Sequence, residues 1–129
     1  MSYLIDTHAV IWFITDDKKL PAATKKLIED LGNDCLVSTA SLWEMAIKYS
    51  LDKLELNTHL ERIFQLIEES PLEILPVSNE HILEVAKLPF HHRDPFDRIM
   101  IAQGRVEQIK IITKDGFFDD YDVEVVWKS

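Results

Sequence analysis

Five short apolar runs punctuate the chain: YLID (3–6), CLVS (35–38), LEILPV (72–77), IKIIT (109–113) and VEVVW (123–127). Segments with helical patterning stand between the first four. Strands joined through helices run parallel, because a crossover that holds a helix brings the chain back to the end of the sheet it left. The helical segments carry their own signals. HAVIWFI (8–14) follows the first run. PAATKKLIEDLG (21–32) opens on Pro21 and closes on Gly32. TASLWEMAIKYS (39–50) follows the second run directly. In HLERIFQLIEE (59–69), Leu60, Ile63, Phe64 and Ile67 recur at i, i+3, i+4, i+7, the stripe of an amphipathic helix. NEHILEVAKL (79–88) and a segment from about Pro95 to Glu107 complete the set. The pattern predicts an α/β domain with a mainly parallel sheet.

A chain of 129 residues is long enough for one ordinary domain, 1–129, and too short for two. The balance of 47% hydrophobic and 29% charged residues is that of a globular protein. No apolar run approaches the roughly 20 residues that span a bilayer. MSYLIDTHAV has no basic region and carries Asp6 inside its apolar stretch, so it does not read as a signal peptide. Cys35 is the single cysteine and reads as a buried thiol, which makes a reducing cytoplasm the expected compartment. The net charge of −9 argues against a general surface that neutralises phosphates. It leaves room for an enzyme whose acids hold divalent cations.

Four acids stand where such a site would need them. Asp6 and Asp115 end predicted strands; Glu44 and Asp97 fall in the first turns of predicted helices. Each has an ordinary local reading. Asp6 suits a helix N-cap, and Ser41-x-x-Glu44 suits a capping box with Lys48 as an added i, i+4 partner. Asp97 suits the positive start of a helix capped by Asp94 with Pro95 at its first position, and Asp115-Gly116 suits a turn. The joint pattern says more. Ligands of an open α/β sheet bind at the carboxyl edge of the strands, where Asp6, Asp115 and the start of the Glu44 helix all lie. The placement of Asp97 depends on the fold, because its helix follows another helix. Four carboxylates converging there would repel one another, and a cation removes that cost. All-oxygen ligands suit Mg²⁺ or Mn²⁺ rather than Zn²⁺. Such a site points to hydrolysis of a phosphodiester by metal-activated water.

Other signals are weaker. His91 and His92 are adjacent and read as solvated loop residues, and His8, His59 and His81 lack metal-ligand spacing. Arg98 suits a phosphate contact, a support for Asp97 or a surface ion pair. Trp12, Phe13 and Trp43 suit the core or an oligomer interface. Asp119 and Asp120 read as solvated. Lys48, Arg93 and Arg98 are placed to guide a polyanion locally. No nucleotide-binding glycine loop, nucleophile elbow or H-E-x-x-H motif is present in the sequence.

LIDTHAVIWF, STASLWEMAIK, HHRDPFDRIMIAQ and IITKDGFFDDYDVEVVW occur in the order expected of a PIN domain. The chain resembles the toxin subunit of VapBC-type toxin–antitoxin pairs over nearly its whole length. This resemblance implies a three-layer α/β/α sandwich around a mainly parallel sheet. It places the family's acidic quartet on Asp6, Glu44, Asp97 and Asp115, as catalytic residues and ligands of Mg²⁺ or Mn²⁺, with Thr7, Arg98 and Thr113 in support. It implies an endoribonuclease that forms a homodimer and is held by a cognate antitoxin. The rival class is a non-catalytic acid-pocket module such as a phosphoacceptor receiver, which would need a lone Asp ending the third strand. A haloacid-dehalogenase-type phosphatase would need an acid where His8 stands, and an interaction protein that keeps the fold without cutting would bind no divalent metal.

Overall fold

The computed structural model describes residues 1–91 and 93–129; His92 lies outside the described residues. Five strands form one sheet: β1 (Ser2–Ile5), β2 (Asp34–Ser38), β3 (Glu73–Leu75), β4 (Lys110–Ile112) and β5 (Val125–Val126). Their order is β3-β2-β1-β4-β5, and every pairing is parallel. Among the described residues, six helices lie between β1 and β4: α1 (Thr7–Ile14), α2 (Ala22–Glu29), α3 (Thr39–Ser50), α4 (Leu60–Glu69), α5 (Asn79–Lys87) and α6 (Pro95–Glu107). The expected sandwich is therefore present. A 3-10 turn over Gly116–Asp120 lies where the sequence predicts only a turn.

Alternation along the strands divides the apolar residues between two faces. Tyr3, Ile5, Cys35, Val37 and Ile112 point to one face and pack with Val10 of α1, Ile28 of α2, Met45 of α3, and Ile63 and Ile67 of α4. Leu4 and Ile111 point to the other, against Met100 and Ile101 of α6, with Leu88 and Phe118. The central strands β1 and β4 are covered on both faces, which is why Tyr3-Leu4-Ile5 and Ile111-Ile112 are consecutive apolar residues.

Local chemistry sets most boundaries. Ser38 caps α3 and accepts the Ala40 N–H at 3.0 Å; Asp94 caps α6 and accepts those of Phe96 and Asp97 at 2.9 and 3.1 Å. Glu44 thus sits in the second turn of α3, not the first, and the predicted Ser41–Glu44 capping box does not form. Helix α2 ends at Glu29, three residues short of Gly32. Ser78 and His81 form the capping box of α5, and His81 Nε2 lies 2.8 Å from Glu107 Oε2, tying α5 to α6.

Helix α6 approaches the sheet closely because Gly104 faces Ile111: a Cβ at that position would stand 3.0 Å from Ile111 Cδ1. Gly104→Leu is expected to lower stability by about 1–3 kcal/mol through overpacking. Urea denaturation measures this, and Ile111→Ala in the same chain should recover part of the loss. A Gly104→Leu chain as stable as the wild type would contradict the close approach.

Candidate active site

Parallel pairing brings all the strands' carboxyl ends to one edge. Ile5 is level with Val37 on one side and Ile112 on the other, so Asp6, Ser38 and Thr113 emerge together. The chain runs outward from β1 to β2 and β3, then returns to lay β4 on the other side of β1. This reversal opens a crevice between β1 and β4, the usual place for a ligand in such a sheet.

A cavity of about 230 Å³ lies there, lined by Asp6, Thr7, His8, Glu44, Lys48, Asp94, Asp97, Asp115 and Phe117. All four acids singled out from the sequence meet in it, each from a different segment. The start of α6 also faces this edge, a placement that sequence order alone leaves open. Asp6 caps α1, its Oδ1 accepting the Ala9 N–H at 2.8 Å, and its Oδ2 accepts the Thr113 hydroxyl. Asp115 caps the 3-10 turn through Phe117 N–H at 2.9 Å, and its own N–H donates to Thr113 Oγ1 at 3.0 Å. Glu44 is 3% exposed. Its Oε1 accepts the Thr7 hydroxyl at 2.5 Å and its Oε2 accepts the Lys48 ammonium at 2.6 Å. Thr7 Oγ1 also lies 3.0 Å from Ser41 Oγ. For Asp6 and Asp115 capping and cavity-lining are one act: the bond that starts the helix or 3-10 turn aims the carboxylate.

Burial raises the Asp6 carboxyl above its usual proton affinity. The Thr113 and Ala9 hydrogen bonds and the charge of His8 oppose the rise, and Asp115 adds to it. Lys48 shows the converse balance. Burial works against its ammonium, but the Glu44 hydrogen bond and the charges of Glu44, Asp94 and Asp97 outweigh it, so it holds its proton more firmly than an ordinary lysine.

The donor set consists of carboxylate oxygens, the class that hard divalent cations take. Among the described residues, however, no three His, Cys, Asp or Glu side chains are grouped tightly enough to hold a metal ion. Hydroxyls, backbone N–H groups and Lys48 engage the carboxylates instead. The chemistry of these side chains, carboxylate oxygens lining one cavity, fits a hard cation.

Comparison with known proteins fits this arrangement. The PIN domain family profile matches residues 3–124. The chain belongs to the PIN-domain family. Solved structures share the PIN fold. The VapBC2 complex of Rickettsia felis, bound to a promoter DNA fragment, has a chain with TM-score 0.73 and 17% identity, covering 99% of this chain and 100% of that one. A DNA-bound VapBC chain from Salmonella typhimurium gives 0.70 and 15%, covering 98% and 97%. A toxin–antitoxin complex from Klebsiella pneumoniae gives 0.66 and 16%, covering 96% and 95%. No curated protein sequence matches.

Some residues lie differently from the sequence expectation. Arg98 neither lines the acidic cavity nor sits on the surface. It is buried, donating to the Pro89 and Val85 carbonyls at 3.1 and 3.3 Å and to the Tyr121 hydroxyl at 3.2 Å, with its guanidinium over Phe90. It clamps the segment before α6 and so steadies the helix that bears Asp97. Trp43 is not core: it is 63% exposed, edge-on to Phe96, whereas Trp12 and Phe13 pack half-buried against the core. Cys35 is buried as expected, and burial lifts its thiol to about 11. His91 is exposed in its loop and touches the Tyr121 ring. Sequence reasoning left His8 and Phe117 out of the site and read Asp94 as a cap alone, though all three line the cavity; it placed Lys48 nearby, as the i, i+4 partner of Glu44.

A carboxyl that binds its proton more tightly when folded makes the fold less stable as pH rises from the ordinary Asp value of 3.8 through the raised one. Without metal, Asp6→Asn should therefore melt a few degrees above the wild type at pH 7 and show a flatter pH dependence. A lower melting point at pH 7 would contradict this. Arg98→Met strands buried carbonyls and should cost about 3 kcal/mol in chemical denaturation. Lysine at 98 should not rescue it, because it lacks the planar fork. A loss within about 0.5 kcal/mol would be that of an ordinary surface residue.

Proposed function

We propose that this PIN domain, taken as one unit over 1–129, is a metal-dependent endoribonuclease and the toxin of a type II toxin–antitoxin pair, working in the cytoplasm. The observation that carries the reading is the convergence of Asp6, Glu44, Asp97 and Asp115 on one cavity at the carboxyl edge of the sheet. These four would hold Mg²⁺ or Mn²⁺. A divalent ion there acidifies water for attack on phosphorus and offsets charge on the leaving oxygen. The protein's part is positioning. Thr113 and the Ala9 N–H hold Asp6; Thr7 holds Glu44; Asp94 and Arg98 fix the start of α6 and with it Asp97. No covalent protein nucleophile is required.

RNA is the proposed substrate. A cognate antitoxin and a second copy of the chain are the proposed partners, and the similar structures are of toxin–antitoxin complexes. An apolar groove of about 730 Å³ beside the acidic cavity, with exposed Trp43, Ile82 and Phe90 on it, supports a protein partner. No helix among the described residues is long and apolar enough to cross a membrane. The receiver reading finds no support, since β3 runs out at Leu75-Pro76 without an acid.

Purified chain free of antitoxin should cut total RNA with Mg²⁺ or Mn²⁺ and not with EDTA. Asp97→Asn should keep the fold and lose at least about a hundredfold in rate, since even outer partners of metal ligands are worth 10–100-fold. A folded Asp97→Asn protein that cuts at the wild-type rate would overturn the assignment.

A further inference from the structure

Lys48 stands among the acids of the cavity without being one of them. Its ammonium lies 2.6 Å from Glu44 Oε2, and its stem leaves α3 one turn after Glu44. Its side chain is 34% exposed, so it is anchored at the wall of the cavity and open to solvent on its outer side. Asp94 and Asp97 also act on its charge from across the cavity. Glu44 is the most buried of the four acids, and the Thr7 hydroxyl takes its other oxygen. Protein groups therefore satisfy both oxygens of the acid least able to reach water. A buried carboxylate left unpaired is costly, so this residue must have a cation beside it in every state of the site.

We propose that Lys48 is the site's resident counter-cation, which competes with a divalent ion for Glu44 and gives up that carboxylate when the ion binds. The proposal rests on the reading of the four acids as metal ligands. Its logic is Coulombic. An ammonium in contact with Glu44 repels a second cation brought to the same carboxylate, and it fills one of the positions that a ligating ion needs. Loading the site then exchanges one cation for another, and the acids are never left to repel one another unscreened. The displaced ammonium stays on its flexible stem at the cavity wall, where it can donate to the oxygens of the phosphodiester that the proposed function brings there.

The test is calorimetric titration of Mn²⁺ into the full chain at pH 8, using wild type, Lys48→Met and Lys48→Arg. A unit charge about 4–5 Å from an ion, acting through an effective dielectric constant between about 20 and 80, changes affinity substantially. With a third of the side chain open to solvent, we expect Lys48→Met to bind Mn²⁺ about tenfold more tightly. Lys48→Arg, which keeps the charge, should stay within about twofold of wild type. The melting point of Lys48→Met should be lower than wild type in EDTA and gain more from Mn²⁺. If the methionine variant does not fold, Lys48→Gln, which keeps a donor for Glu44 without the charge, carries the same expectation. A folded neutral variant that binds Mn²⁺ no more tightly than wild type overturns the role of Lys48 and leaves the ligand reading standing. Absence of Mn²⁺ binding by every variant and by wild type overturns the ligand reading, and the proposal with it.

Discussion

β1 pairs in parallel with β2 on one side and β4 on the other, and its register sets Ile5 level with Val37 and Ile112. The residues that follow these three, Asp6, Ser38 and Thr113, therefore leave the sheet side by side. Ser38 starts α3 and so places Glu44; Thr113 holds Asp6 and the backbone of Asp115. A slip of one residue would turn every side chain of β1 to the opposite face, putting Leu4 where Ile5 now packs. Packing on both faces opposes that slip, because Tyr3, Leu4 and Ile5 are each buried on the side they point to. Core packing and site geometry thus share one constraint.

The cost of the arrangement is electrostatic. The sheet edge buries Asp6 and Glu44 and brings Asp94, Asp97 and Asp115 to the same cavity. The fold meets this cost with small, rigid donors: threonine hydroxyls, helix-start N–H groups and one lysine. They do not fully offset the burial of Asp6, whose carboxyl holds its proton more firmly than usual because it is out of water, with Asp115 adding to the effect. The same donors fix where the carboxylates of Asp6 and Glu44 lie in the cavity, so positioning and partial neutralisation come from the same bonds.

Helix existence was legible because each helix carries an apolar stripe or a cap of its own; 39–50 and 95–107 match the observed bounds residue for residue. Caps were less legible where several residues could serve. Ser38, Thr39 and Ser41 can all cap a helix, and only the end of β2 decides that Ser38 does, which moves Glu44 one turn inward. Gly32 read as a helix end, but the chain leaves α2 at Glu29 and turns through Asp30, whose carboxylate accepts the Gly32 N–H. Trp43 suited the core or an oligomer interface from its helical spacing; it is not core, because its position on α3 leaves it exposed and edge-on to Phe96. Arg98 was open to three readings, a phosphate contact, a support for Asp97 or a surface ion pair; the structure buries it under the start of α6, and only the folded segment 85–90 supplies the carbonyls that do so.

What the sequence determined by itself was local and periodic: parallel strands, helix spans, the Asp94-Pro95 start of α6, and four acids at the ends of elements. These follow from interactions within a few residues, where side-chain pattern and backbone hydrogen bonding decide the outcome. What only the tertiary structure decided was which of these ends meet. Asp97 reaches the cavity because α5 and α6 pack together, with His81 and Glu107 bonded across them, and bring the start of α6 to the edge where β1 ends. Lys48 becomes part of the site because Asp94 and Asp97 arrive opposite it. Distances between segments far apart in the chain are set by packing against a common sheet, and no local pattern encodes them.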